Sequence, residues 1–553
     1  MRRIVIVGGV AGGATAAARA RRLDEGARIV LFERGPDVSF ANCGLPYYVG
    51  GVIAPREKLL VATAERLRSR YAIDVRTRCE VTAIDRARRS VRFRDADGGE
   101  GEEPYETLIL SPGAAPLRPP LSGIDHPRVM VLRSLGDVDR IKAAVDRGAR
   151  RAVVVGAGFI GLELVENLVH RGVSTTLVEL QDQILPPFDS ELTTPLLAAV
   201  RAAGVAVHLG ASAEAFEPDG DGVSVRLRSG AALPADLVVL GIGVRPESAL
   251  AAAAGLDVGP RGGVRVDAAM RTSDPAILAC GDVVEVRDAV SGAPVQVPLA
   301  GPANRQGRIA ADTACGRAAA YRGTQGTAIV GAFGKTLAIT GASEKALIRT
   351  GTPFARAWVH PANHASYYPG AEALSLKLLC DPASGRVLGA QAVGGAGVDK
   401  RIDVLAVAIQ AGMTVFDLEQ AELCYAPQYG SAKDPVNMAA FVAAGALRGD
   451  HPQVGVEALG GEDGDRPFLL DVRTPEEHAR GAIPGAINVP VDDLRGRLGE
   501  LPRDRRIVAY CQVGMRGYLA TRILLQSGFG DVANLGGGYT TWRLHHPDRA
   551  GPS

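Results

Sequence analysis

One pattern occurs twice in this chain and restricts its fold more than any other feature. Residues 4–7 (Ile-Val-Ile-Val) are a short β-branched run, followed by Gly8-Gly9-Val10-Ala11-Gly12-Gly13 and an alanine-rich stretch. A second apolar run, residues 29–32, ends in Glu33. Residues 152–155 begin the pattern again, with Gly156-Ala157-Gly158-Phe159-Ile160-Gly161, a helical stretch, and a run at 176–178 ending in Glu179. Strand, glycine turn, helix and acidic strand end together describe a βαβ unit. Its glycines let the backbone approach a pyrophosphate, its helix N-terminus stabilises the phosphate charge, and its acid accepts from ribose hydroxyls. Two such units predict two dinucleotide sites. Gly8, Val10, Ala11, Gly12, Gly13 and Glu33 belong to the first; Gly156, Gly158, Phe159, Ile160, Gly161 and Glu179 belong to the second. The first loop departs from the usual pattern by placing Val10 at the second glycine. A carboxylate at Glu179 repels a 2′-phosphate, so a dinucleotide without one is expected at the second site.

Further strands end in small residues. Residues 107–113 close on Ser111-Pro112-Gly113, and residues 237–243 close on Gly241-Ile242-Gly243. Both read as crossovers to and from an inserted domain. Thr272-Ser273-Asp274-Pro275-Ala276-Ile277-Leu278-Ala279-Cys280-Gly281-Asp282 is another strand with a Gly-Asp end, where the Asp can accept from a sugar or ribitol hydroxyl. Residues 325–445 read as mixed α/β, and residues 449–465 as a linker into a last domain. A length of 553 residues suits three to four domains.

Composition excludes more than it identifies. A net charge of +1 gives no basic excess for nucleic acid or membrane lipid, so small-molecule partners are expected. The seven cysteines have no framework spacing and no Cys-x2-Cys pair, so neither a disulfide scaffold nor a metal site is expected. Their odd number favours free thiols in a reducing compartment. The chain starts directly in a strand, without the apolar stretch of a leader, and contains no membrane-spanning run. A cytoplasmic location is expected.

Cys43 stands in Ser39-Phe40-Ala41-Asn42-Cys43-Gly44, shortly after Glu33. A Cys-x4-Cys redox pair would need a second thiol at position 38, which is Val38. A lone thiol cannot close a disulfide with a neighbour. Its redox partner must be a substrate sulfur or an oxidised form of Cys43 itself.

With these residues in view, residues 1–446 resemble the pyridine nucleotide-disulfide oxidoreductases, flavoproteins with two dinucleotide-binding domains. The resemblance implies FAD at the first fingerprint and a nicotinamide at the second. It extends the FAD site to Arg34, Val81, Ser111, Pro112, Gly113, Asp282 and Ala300, and the nicotinamide site to Gly243. The segment around Cys43 looks like the single-cysteine branch, which holds coenzyme A-disulfide reductases, NADH oxidases and NADH peroxidases. The peroxidases and many oxidases carry a histidine in the first glycine loop, near Val10 and Ala11, and this chain has none there. The coenzyme A-disulfide reductases use two tyrosines from the dimerisation domain of the partner subunit. Tyr367 and Tyr425 match them, with Tyr368 and Tyr429 as neighbours in the same motifs. Thr15, Arg19, Arg22, Ser39, Phe40, Asn42, Asn304, Arg308 and Lys433 match that branch's coenzyme A contacts. Arg19 and Arg22 lie on one helical face just past the glycine loop and can grip phosphates. The Cys43 thiolate is expected to be stabilised by flavin contact and a helix N-terminus.

Residues 468–490 contain Asp471-Val472-Arg473-Thr474-Pro475 and Gly481-Ala482-Ile483-Pro484-Gly485. The strand at 506–510 then ends in Cys511-Gln512-Val513-Gly514-Met515-Arg516. A cysteine there opens a glycine-containing loop whose amides can converge on sulfur. The Cys-x4-Arg spacing is one residue tighter than a tyrosine phosphatase loop. The segment resembles a rhodanese domain, which implies a persulfide carried on Cys511 with Arg516 in the same loop.

The resulting expectation is an α/β chain of two interleaved Rossmann-like dinucleotide-binding domains, an α+β dimerisation domain and a C-terminal α/β rhodanese domain. The FAD domain spans 1–113 and 244–324, the NAD(P)H domain 114–243, the dimerisation domain 325–446, a linker 447–460 and the rhodanese 461–553. The expected activity is NAD(P)H-dependent reduction of coenzyme A disulfide, coenzyme A persulfide or polysulfide by a homodimer. The alternatives are an NADH oxidase or peroxidase working through a Cys43 sulfenate, and a redox-sensing interaction protein.

Overall fold

The computed structural model describes residues 1–460 and 466–549. The chain forms two compact units. One comprises Met1–Asp182 with Gly204–Thr324; the other comprises Gln183–Ala203 with the chain from Gln325 onward.

The first unit contains the duplicated pattern as two five-stranded parallel sheets. In one, the edge-to-edge order is Ile277–Ala279, Thr107–Leu110, Arg3–Val7, Arg28–Glu33, Asp74–Thr77. In the other it is Ala206–His208, Ser174–Val178, Arg151–Val155, Leu237–Leu240, Val129–Val131. The strands read as unbroken apolar runs because both faces are covered, as parallel sheets require. In the first sheet Ile4, Val5, Ile6, Ile29, Val30 and Leu31 are all buried. Each half also carries a three-stranded antiparallel meander, at Glu80–Asp85, Ser90–Arg94, Glu100–Pro104 and at Ala213–Asp219, Gly222–Leu227, Ala232–Ala235. The two chain crossovers lie side by side, Ala114–Pro116 pairing antiparallel with Val244–Pro246. The helix Ala11–Leu23 buries Ala14, Ala16, Ala17 and Ala20. These small side chains let the helix Ala300–Ala314 lie directly against it.

The second unit holds an antiparallel sheet ordered Ala328–Ala332, Lys335–Gly341, Val387–Gly394, Ser375–Cys380, Ala355–Val359. The helices Val398–Ala411 and Pro435–Leu447 share its apolar core. Residues 183–203, which fall inside the expected NAD(P)H domain by sequence, belong to this unit through the helix Ser190–Ala202. A buried charge cluster fixes the start of that helix. The Lys377 ammonium, 2 % exposed, meets Asp189 at 2.9 Å, Glu191 at 2.6 Å and Glu344 at 2.6 Å.

The last domain is a parallel sheet ordered Gln453–Val454, Val532–Leu535, Ile507–Tyr510, Phe468–Asp471, Ile487–Asn488. The structure corrects the expected linker at 447–460. Gln453–Val454 is an edge strand paired with Val532–Leu535, and Val456 is buried in the same core as Tyr510 and Trp542. The short apolar pieces that looked like linker punctuation are the first layer of the domain. Residues 461–465, where the expected linker at 449–465 ends and the expected rhodanese begins, lie outside the described residues.

This domain is fastened to the antiparallel sheet by a buried histidine. One ring nitrogen of His360 bonds Ser375 Oγ and the other bonds Thr541 Oγ1, both at 2.8 Å. Gly537, at φ +69°, permits the contact: a Cβ there would lie 2.0 Å from Thr541 Oγ1 and 2.8 Å from His360 Nε2. Thr194 Oγ1 also donates to the Leu544 carbonyl at 3.0 Å. Nearby, His451 Nε2 bonds the Asn534 amide at 2.8 Å. Burial lowers the pKa of both His360 and His451 to about 4.

The sign of the resulting pH dependence follows. An unfolded histidine takes up a proton as pH falls below about 6.5, whereas these two stay neutral to about 4. Stability present above pH 6.5 is therefore lost as pH falls towards 4, by roughly 1.4 kcal/mol per pH unit per histidine. Thermal unfolding between pH 7 and 4.5 should show a steep fall in Tm that is shallower in His360→Asn. Identical slopes in both proteins would refute this assignment.

Candidate active site

Both glycine turns are forced by backbone passing backbone. A Cβ at Gly8 would lie 2.1 Å from the Ser111 carbonyl oxygen, and one at Gly156 would lie 2.4 Å from that of Gly241. Gly8 and Gly156 sit at φ +96° and +107°, where side-chain-bearing residues are strained. The acids repeat as well. Glu33 accepts from the amides of Gly9 and Gly35, both at 2.8 Å; Glu179 accepts from those of Ala157 at 2.7 Å and Gln181 at 2.9 Å. Each carboxylate thus ties its own glycine loop to its strand end and keeps lone pairs for a ribose.

The first turn fits FAD. Gly12 lies so close to Ser111 Oγ and Cys280 Sγ that a Cβ would meet them at 2.7 and 3.2 Å. Asp282 carries a carboxyl that burial pushes up, opposed only by Arg133, and no hydrogen bond to it occurs among the described residues. A largely enclosed acid without a partner suits a polyol hydroxyl. Val81 lies beside a β-bulge between Val81 and Ala83. Arg34 donates to Glu247 at 2.6 Å, and Arg133 holds the same carboxylate at 2.7 Å. Pro112 O accepts from Arg133 at 3.1 Å, Gly113 lies at φ +81°, and Ala300 opens the helix Ala300–Ala314. In the second loop Phe159 begins the helix Phe159–His170, Ile160 is exposed, and Gly243 lies at φ +109°. A Cβ at Gly158 would meet nothing within 4 Å, so this loop presents open backbone as a pyrophosphate cradle requires.

Cys43 sits in the single turn Asn42–Gly44 that runs into the helix Leu45–Val49. Its side chain reaches solvent, and Val38 is buried. All seven cysteines are free thiols. The expectation that a helix N-terminus stabilises the Cys43 thiolate is not supported. The following helix has five residues, and burial with the Glu163 and Asp282 carboxylates pushes the thiol up. Charges of the protein oppose the thiolate here, and a backbone hydrogen bond offsets them only in part.

Two residues of this neighbourhood were missed from the sequence. Tyr47 OH donates to Glu163 Oε1 at 3.2 Å. Burial and Glu163 push Tyr47 up to about 12, and burial pushes the Glu163 carboxyl up to about 7, with Glu166 adding to the shift. Glu163 projects from the second-loop helix Phe159–His170, and Tyr47 from the helix after Cys43. Gly50 lets the two helices touch, since a Cβ there would lie 1.9 Å from Asn167 Oδ1. The available signal was a pair of acids, Glu163 and Glu166, three apart in a largely apolar helix.

The expected coenzyme A contacts fall into groups. Thr15 Oγ1 donates to Asn304 across the helix pair, and Arg19 makes a 2.8 Å ion pair with Asp312. Arg22 is exposed, with Nε donating to the carbonyl of Ala18; Arg308 is exposed on the facing helix. The phosphate-gripping pair expected on one face is therefore split: Arg19 is committed to Asp312 and Arg22 is open. Ser39 takes the strained φ of +48°, Phe40 bridges to Leu60, and Asn42 donates to the Arg133 carbonyl at 3.0 Å. In the second unit Lys433 is exposed, and Tyr367 OH and Tyr425 OH lie 2.8 Å apart. That contact joins Tyr367 to Tyr425, the two positions matched by the resemblance. The Tyr425 hydrogen bond pushes the Tyr367 phenol up.

Cys511 is 1 % exposed at the end of Ile507–Tyr510, and its Sγ accepts from the Gly514 amide at 3.2 Å. The Tyr539 and Thr540 amides donate to the carbonyls of Cys511 and Gln512, fixing the loop. Arg516, in the first turn of Met515–Gln526, forms a two-pronged pair with Glu477 at 2.7 Å per prong. That pairing holds the Glu477 carboxyl down to about 2. Behind the loop, fully buried Asp471 pairs with Arg473 and accepts from His478 and Tyr510. Against the effect of burial, these bonds keep its carboxyl below the usual range.

Three regions of the chain match known families. Residues 2–307 match the pyridine nucleotide-disulphide oxidoreductase family, 328–434 that family's dimerisation domain, and 456–545 a rhodanese-like domain. A coenzyme A disulfide reductase of Staphylococcus haemolyticus is 34 % identical over 446 residues, covering 80 % of this chain and 99 % of the relative. The reduced CoADR-RHD of Bacillus anthracis is 44 % identical, with TM-score 0.96 over 100 % of this chain and 99 % of that one. A NAD-dependent persulfide reductase from A. fulgidus is 38 % identical, with TM-score 0.91 over 98 % and 100 %. No helix among the described residues is long and apolar enough to cross a membrane.

If Glu163 opposes the Cys43 thiolate, Glu163→Gln should lower the apparent pKa of that thiol. Alkylation of reduced enzyme by iodoacetamide above pH 7 should then be about threefold faster at Cys43. An unchanged pH–rate profile would rule out the coupling. The duplicated loops, the lone thiol and the matched domains place this chain among the pyridine nucleotide-disulphide oxidoreductases, with a rhodanese-like domain at its end.

Proposed function

We propose that the enzyme reduces coenzyme A disulfide, coenzyme A persulfide or polysulfide with NAD(P)H, and that the rhodanese-like domain supplies sulfane sulfur through Cys511. The observation that carries this reading is the solitary Cys43, with buried Val38 where a second thiol would stand. With no second thiol beside it and no histidine at Val10 or Ala11 to serve a sulfenate, the substrate supplies the other sulfur.

FAD would be held by the first glycine loop, Glu33, Arg34, Val81, the Ser111-Pro112-Gly113 turn, Asp282 and the start of the helix at Ala300. Bound there, it supplies two-electron transfer between nicotinamide and sulfur. The protein's own residues do the remaining work. Cys43 as thiolate attacks the sulfur attached to coenzyme A. This forms a Cys43–S–S–coenzyme A bond and releases coenzyme A thiolate from the disulfide, or hydrosulfide from the persulfide. Two electrons from NADH then cleave the mixed disulfide, restoring the Cys43 thiolate and giving coenzyme A thiol after proton uptake. One phenol of the Tyr367–Tyr425 pair donates to the other, leaving a hydroxyl hydrogen to stabilise the departing thiolate. Disulfide reduction consumes one proton per NADH; persulfide reduction gives thiol and hydrosulfide without net uptake.

The dimerisation domain supports a homodimer in which the tyrosines act on the partner subunit's Cys43. Thr15, Arg19, Arg22, Ser39, Phe40, Asn42, Asn304, Arg308 and Lys433 are the candidates for contacting coenzyme A, with Arg19 shared between Asp312 and the ligand. Seven free thiols suit a cytoplasmic enzyme. Fusion raises the effective concentration of the sulfur carrier near the reductase and favours persulfide as the cellular substrate.

Cys43→Ser should abolish reduction of both disulfide and persulfide while NADH still bleaches the flavin. Cys511→Ser should spare coenzyme A-disulfide reduction and eliminate sulfurtransfer. Full turnover in the first variant, or loss of both activities in the second, contradicts the scheme.

A further inference from the structure

Two loops of the second unit carry the paired tyrosines, and one buried side chain grips both. Tyr367 lies in the loop that begins at Asn363; Tyr425 lies in the segment that runs to Asp434. The loops are joined by backbone, with the Ala365 amide donating to the Gly430 carbonyl at 2.9 Å and to that of Pro427 at 3.3 Å. Beneath this junction stands Arg401, 1 % exposed, from the helix Val398–Ala411. Its Nη2 donates to the Asn363 carbonyl at 2.7 Å and to Asp434 Oδ2 at 2.9 Å, and its Nε reaches Asp434 Oδ1 at 3.3 Å. Nη1 turns back to the Gly397 carbonyl at 3.1 Å. Asp434, 3 % exposed, also caps the helix Pro435–Leu447 through the Val436 amide at 3.0 Å. The guanidinium therefore fixes one loop by its backbone carbonyl and the other by its terminal carboxylate.

We infer that Arg401 and Asp434 are positioning residues for the sulfur chemistry: the buried pair holds the Tyr367 and Tyr425 loops at the spacing that brings their hydroxyls together. The inference rests on the tyrosine role given under Proposed function and adds residues that touch neither substrate nor cofactor. A planar fork suits the task because its donors serve two segments from one rigid centre. A buried pair of this kind is a weak source of net stability, and its better-attested value is in specifying one arrangement.

The test is a double-mutant cycle on the full-length, FAD-loaded enzyme. Asp434→Asn retains a helix-capping side chain of the same shape and removes the charge. Its kcat for coenzyme A disulfide should fall roughly tenfold, while the KM for NADH and the rate of flavin bleaching by NADH stay unchanged. Introduced into a Tyr367→Phe/Tyr425→Phe background, it should lower kcat no further, because the groups it positions are already gone. A full additional loss in that background, or no loss in the single variant, overturns the inference. If the two phenylalanine substitutions leave turnover intact, the tyrosine role fails and this inference falls with it. Asn363→Ala guards against misfolding of the buried variant. It loosens the same loop by removing the acceptor of the Glu372 amide, a 3.0 Å bond, and leaves the ion pair untouched. It should show the same non-additivity with the tyrosine variants; additive losses count against the inference.

Discussion

Backbone must pass backbone at contact distance twice in this chain, at Gly8 against Ser111 and at Gly156 against Gly241. The nucleotide-binding unit follows from that constraint. Each glycine turn brings a strand end, a helix start and a neighbouring strand end to one point, and each acid, Glu33 or Glu179, ties the turn down through two amides. What faces outward is backbone and lone pairs, which suits phosphate and ribose. The sulfur chemistry is attached to the first of these constructions through the short segment that carries Cys43.

The electrostatics around Cys43 separate recognition from reactivity. Glu163 and Asp282 both disfavour its thiolate, and among the described residues no cation offsets them at the sulfur. A thiol in such surroundings resists ionisation until its environment changes. The rhodanese loop is built differently. Gly514 donates directly to Cys511 Sγ, and Arg516 stands beside the sulfur while being held by Glu477. The two cysteines therefore serve a similar element through different local physics.

What the sequence revealed and what it concealed divide along physical lines. The paired fingerprints were legible because tight turns demand glycine and two-sided burial demands continuous apolar strands. Cys43 and Val38 were legible because a missing thiol is a direct chemical statement. Tyr47 with Glu163 was not, because that contact joins side chains far apart in sequence on two helices. Arg401 with Asp434 was hidden for the same reason. The strand Gln453–Val454 escaped notice because two residues carry no periodicity. Residues 183–203 read as part of the second nucleotide-binding domain, yet Asp189 and Glu191 answer to Lys377 in the antiparallel sheet. The distribution of Arg19 and Arg22 between an ion pair and solvent likewise depended on Asp312, which spacing alone does not bring near.

The fastening of the last domain constrains how such a fusion can be cut. His360, Trp358 and the helix Ser190–Ala202 meet the helix Gly538–His545 through fitted side chains rather than a tether. Severing the chain after Leu447 would bare a buried imidazole and an indole edge on the remaining piece. Shortened versions of this protein would need a different, more polar finish on that face.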